Sequence, residues 1–68
     1  MKYKKTKANK DRAERIAATL EAYGNGDTTD DMVDVVTDLR HYAAQNKINF
    51  TEILAVSENH FEVEAEGE

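Results

Sequence analysis

The chain contains no proline, and its three glycines stand at positions 24, 26 and 67. Apart from one interruption at Gly24 to Gly26, nothing in the sequence forces the backbone out of a helix, because glycine and proline are the strongest local breakers. The apolar residues follow the same rule. Ala13, Ile16, Ala17, Leu20 and Tyr23 recur at i, i+3, i+4 and i+7, the spacing of one helix face. A first helix is therefore expected from about Asn9 to Tyr23, with Asn9 as N-cap. The stretch GNGDTTD (24 to 30) stops it: glycine supplies the C-cap geometry, and Thr28 or Thr29 is placed to cap the next helix.

The second helix is expected over about Asp30 to Gln45, with Met32, Val35, Val36, Leu39, Tyr42 and Ala43 as its core stripe. Asp30 and Asp31 fall in its first turn, where the helix dipole favours negative charge. Asn46 suits a left-handed C-cap, and NKIN (46 to 49) makes a short connection.

Residues 48 to 66, INFTEILAVSENHFEVEAE, admit two readings. Phe61 to Glu66 alternates apolar and acidic residues, the period of a half-buried strand. Against it, Asn49 followed by Glu52 has the spacing of a capping box, with Ile48 and Ile53 as its staple. Phe50, Ile53, Leu54, Ser57, Phe61 and Glu64 then share a helix face. A strand would instead place Glu52 among Ile48, Phe50, Leu54 and Val56 while turning Ile53 away. The helix fits better. Its last turn carries several carboxylates at the negative end of the dipole and is expected to fray.

These elements define an all-α chain, a small three-helix bundle. Residues 9 to 66 form the domain, and residues 1 to 8 are a flexible, disordered basic arm. At 68 residues the domain is marginal, since a chain of this size buries only about 60% of its unfolded surface. With no cysteine, no disulfide or thiolate metal site can add to its stability. The cysteine-free composition suits a reducing compartment, and a cytoplasmic location is expected. The longest apolar run, Ile53 to Val56, is far short of the ~20 residues of a membrane helix. The basic start MKYKKTKANK has no apolar segment behind it, so no secretory signal is expected.

Charge is divided unevenly. Residues 1 to 15 hold seven Lys or Arg against Asp11 and Glu14, a net of +5, and residues 16 to 68 carry −10. A solvated tail beside solvated helix faces accounts for this pattern. So does a basic arm on an acidic body with partners for each.

From Val35 onward the chain resembles a set of small proteins encoded by bacteriophages and other bacterial mobile elements. The resemblance lies in VVTDLRHY (35 to 42), Asn49-Phe50 and the closing His60-Phe61-Glu62-Val63-Glu64. Relatives often carry Cys after the Tyr and Gly in the turn, where this chain has Ala43 and Asn46-Lys47. The resemblance covers about half the chain. It implies a helical reading of residues 50 to 64 and a phage-like origin, in a bacterial host, and no activity.

Candidate sites divide into four groups. His41 and His60 are the only imidazoles, each near a carboxylate at helical spacing, Asp38 and Glu64. At about 100° per residue, His41 falls opposite the core stripe and His60 beside it. The two pairs are not expected to meet, so no metal or other cofactor is expected. No enzyme is expected either: Ser57 has no evident base, and no glycine-rich phosphate loop is present. A helix-turn-helix reading fails on charge, because the third helix has no Lys or Arg to meet phosphates.

A protein partner, from host or phage, fits better. Asp30, Asp34, Asp38 and His41 lie along one face of the second helix, an acidic stripe suited to a basic surface. On the third helix, Ile53, Val56, His60 and Val63 form a second seam beside Phe50, Leu54, Ser57 and Phe61. Together they make an apolar face wider than the ~100° that a surface helix needs, which suggests a partner or a homo-oligomer. The alternative is an accessory factor that binds nucleic acid through Lys2, Lys4, Lys5, Lys7 and Lys10.

Overall fold

Three helices, α1 (Lys7–Tyr23), α2 (Thr28–Gln45) and α3 (Phe50–Ala65), account for most of the chain in a computed structural model that describes residues 2 to 67. The all-α, three-helix architecture is as the sequence predicts, and among the described residues there is no strand. Residues 50 to 65 are helical, so the alternating FEVEAE segment is the end of a helix.

The caps are local and polar. Thr6 accepts the Asn9 N–H and opens α1 two residues before the expected start. Asp27 accepts from Thr29 and Asp30 at the head of α2, taking the role expected of Thr28 or Thr29. Asn49 accepts the Glu52 N–H at the head of α3, as its spacing predicts. Gly24 closes α1 in the left-handed region at φ 60°. After α2 the left-handed residue is Lys47, at φ 57°, rather than Asn46.

How the helices meet departs from a parallel packing. Each is about 25 Å long at 1.5 Å per residue. In an up-down-up bundle the start of the first and the end of the third would lie a full helix length apart. Here they touch. The Lys4 N–H donates to the Ala65 carbonyl at 2.9 Å, and the Asn9 side-chain amide donates to the Glu64 carbonyl at 2.7 Å. The chain is therefore a three-sided figure with helices as its sides, 35 × 30 × 17 Å in extent. Its radius of gyration, 13.6 Å, exceeds the ~11 Å of a compact domain of this length.

Burial is confined to the corners. Four described residues are buried: Ala43, Ala65, Asn9 and Asp31, each less than 9% exposed. Ala43 sits where α2 turns into α3, its carbonyl receiving the Ile48 N–H. Ala65 and Asn9 sit where α3 meets the start of the chain, and Asp31 accepts the Asn25 N–H between α1 and α2. Among the described residues no large side chain is fully buried. The expected core stripe of α2 is thus corrected: Met32, Val36, Leu39 and Tyr42 are exposed, and only Ala43 is buried. Helices that meet at their ends cannot cover one another along their lengths.

Residues 2 to 6, within the segment expected to be a disordered arm, run without helix along the end of α3; Met1 lies outside the described residues. Besides the Lys4–Ala65 bond, the Tyr3 ring stacks on Phe61 at 6.1 Å, and the Lys4 side chain lies against Gly67. The electrostatic reason is plain. Glu62, Glu64 and Glu66 crowd the negative end of the α3 dipole, and a basic segment offsets both.

Candidate functional surfaces

An open groove runs along α3, lined by Ile48, Asn49, Glu52, Ile53, Val56, Ser57 and His60. An adjoining groove continues past His60 to Val63, with Arg12, Asn59 and Glu64. The four seam residues, Ile53, Val56, His60 and Val63, therefore form one continuous exposed strip. Of the neighbouring seam, Phe50 is half-buried beneath the Arg40 guanidinium, 4.9 Å from the ring centroid, and Leu54 and Phe61 remain exposed.

A second strip lies on α2, lined by Thr29, Met32, Val33, Val36, Thr37 and Arg40. Sequence reasoning missed it because Met32 and Val36 read as core and Val33 fell outside the expected stripe. The signal was a stripe wider than one neighbouring helix can cover.

The acidic row is where the spacing puts it, at exposed positions on one side of α2, but that side faces the end of α1. Asp38 accepts a hydrogen bond from the Tyr23 hydroxyl at 2.7 Å, and Asp34 accepts one from the Asn25 side-chain amide at 2.7 Å. The hydrogen bond to Asp38, with the nearby charge of Asp34, raises the Tyr23 pKa above its usual value. Asp30 and His41 are exposed at the ends of the row.

Asp38 is engaged by Tyr23, and the Glu64 carboxylate stands 3.5 Å from the Arg12 guanidinium. Among the described residues no three His, Asp or Glu side chains group as a metal site. Among them, too, no helix is long and apolar enough to cross a membrane.

The five arm lysines are dispersed. Lys7 pairs with Asp11 at 2.9 Å, and Lys4 is held at the end of α3. Lys2, Lys5 and Lys10 are exposed.

Comparison with known proteins adds no relative. No family model, curated protein or solved structure matches this chain. The functional reading therefore rests on surfaces alone: two apolar strips, one acidic row, and a basic segment partly engaged in holding the fold closed.

Proposed function

We propose that this chain is a small, non-catalytic protein-interaction module of the phage or mobile-element kind, working in the cytoplasm of a bacterial host. It binds a host or phage protein through the α3 strip of Ile53, Val56, His60 and Val63, with the acidic row of Asp30, Asp34, Asp38 and His41 contacting a basic surface. One observation carries this reading: among the described residues thirteen large apolar side chains are exposed and none is fully buried. Monomeric proteins rarely leave contiguous apolar surface of this kind uncovered, and such surface marks interaction sites.

The chemistry of the partner follows from the rim. The α3 strip is bordered by Glu52 at one end and by Glu64 beside Arg12 at the other, and α3 itself contains no Lys or Arg, so the complementary surface is apolar at its centre with a basic group facing Glu52. Asp34 and Asp38 are already fixed by Asn25 and Tyr23, which lowers the ordering cost of presenting them. A basic channel that normally receives nucleic acid is a surface of this type, and an inhibitor of a nucleic-acid-handling protein is the version we favour.

Affinity capture from host lysate tests the reading with Val56→Glu and Asp30→Lys, both exposed positions. Asp30 takes part in no side-chain bond described above. A protein held by the wild type and lost by either variant supports it. The alternative, an accessory factor on nucleic acid, requires Lys2, Lys5 and Lys10. If Lys2→Gln/Lys5→Gln abolishes binding while Val56→Glu and Asp30→Lys do not, the proposed surface is the wrong one. In that case affinity should also fall steeply with salt.

A further inference from the structure

At the corner where the chain closes, residues 2 to 6 lie on the end of α3 much as a bound peptide would. The Lys4 N–H donates to the Ala65 carbonyl at 2.9 Å, an acceptor that the helix itself leaves without a partner. The Tyr3 ring stacks on Phe61, and the Lys4 side chain lies against Gly67. Asn9 completes the clamp by donating to both the Lys4 and the Glu64 carbonyls. Lys4 thus brings positive charge to the negative pole of α3, where Glu64 and Glu66 flank Ala65. The site is larger than this occupant. Tyr3 and Phe61 remain 45% and 46% exposed although they stack. A hollow of about 230 Å³ is left between the two rings and Asn9, Arg12 and Ala13 of α1.

We propose that this corner is a binding site for an extended basic segment of a partner protein, carrying an aromatic residue, and that residues 2 to 6 are its displaceable occupant in cis. The strap shows what such a segment must offer: a backbone N–H for the Ala65 carbonyl, an aromatic face for Phe61, and a cation for the carboxylates at the helix pole. The hollow decides between a partner and a second copy. Exchange of straps between two copies replaces each contact with an identical one, so association gains nothing to offset its entropy. A partner segment with a larger aromatic side chain fills the hollow and makes contacts that the strap does not. It must still displace a tethered competitor, whose effective concentration is on the order of millimolar. Binding therefore strengthens when the strap is weakened, which a purely structural corner would not show.

The probe is the peptide KWKKT, the strap sequence with tryptophan in place of tyrosine. Because the chain has no tryptophan, the peptide's fluorescence reports binding to the full chain without background. Titration should show saturable binding, and the peptide EWEET should show none. Tyr3→Ser, which removes the strap's half of the ring stack, should tighten KWKKT binding about three- to tenfold. Lys4→Pro, which has no N–H to give Ala65, should act in the same direction. Phe61→Ala should abolish binding, and Val56→Glu should leave it unchanged. No saturable binding overturns the inference, as does equal binding of EWEET, or affinity that neither strap variant raises. Loss of helix content in both strap variants, seen by circular dichroism, overturns it too, since the strap is then structural. A dimer that the peptide dissociates assigns the corner to a second copy and overturns the partner. Peptide binding without lysate capture through Val56 or Asp30 leaves this inference standing and overturns only the proposed function; capture without peptide binding does the reverse.

Discussion

Asn9 joins the two ends of the chain, and replacing it tests whether the ring of helices is closed as described. Its amide nitrogen donates to the Lys4 and Glu64 carbonyls at 2.8 and 2.7 Å, and its Oδ1 accepts from Arg12 at 2.7 Å. Asn9→Ala removes all three. Each such bond contributes about 0.5 to 1.5 kcal/mol net, so the loss is about 3 kcal/mol. The better helix propensity of alanine returns about 0.6 kcal/mol, leaving a destabilisation of about 2 to 2.5 kcal/mol. A domain of this length has about 3 to 10 kcal/mol in total, so the effect is large. Urea unfolding followed by circular dichroism, at matched protein concentration, should show it directly. The melting temperature should fall by about 8 to 20 °C. Asn9→Asp should cost still more, because it replaces the donor with a carboxylate beside two carbonyls and near Glu64. A change below about 0.5 kcal/mol for Asn9→Ala would refute the closure.

Other outcomes follow from single positions. Lys47 holds a left-handed φ of 57° without being glycine, so Lys47→Gly should stabilise by about 1 kcal/mol in thermal or urea unfolding. Gly24→Ala should do the reverse by a similar amount, for the same steric reason at φ 60°. The Tyr23 pKa is raised by its bond to Asp38, so the neutral phenol is favoured in the fold. That contribution is intact below the ordinary tyrosine value of about 10 and is lost as pH rises through the higher folded value. A tyrosinate absorbance titration should show a step above the ordinary tyrosine range, and Tyr23→Phe should remove that step. Deleting residues 1 to 5 should lower stability by about 1 to 3 kcal/mol, since the Lys4–Ala65 bond and the Tyr3–Phe61 stack go with them.

What was legible in the sequence was local. Helix identity followed from spacing, and the Asn49 cap followed from Asn and Glu three residues apart. Misplaced caps were errors of one to three residues, because Thr6 and Asp27 are as good acceptors as the candidates beside them. The angle at which the helices meet was not legible. It depends on Asn9 reaching a carbonyl 55 residues away and on Ala43 and Ala65 being small enough for close approach at two corners. Neither has a periodicity to read. The core stripe of α2 failed for the same reason: an apolar face in the sequence does not say whether its cover comes from the same chain. The seam on α3 could be read because it was too wide for one neighbour.

Protection from amide hydrogen exchange reports the free energy of opening each helix. Measured across a wide dilution series, with and without the captured partner, it tells whether this chain's apolar surface is covered by another protein molecule or by its own helices. Protection in α2 and α3 of the free chain should be weak, and in α3 it should rise when the captured partner is added. Strong protection in α2 and α3 that is the same at every concentration, with no partner present, would mean that the chain has a core of its own.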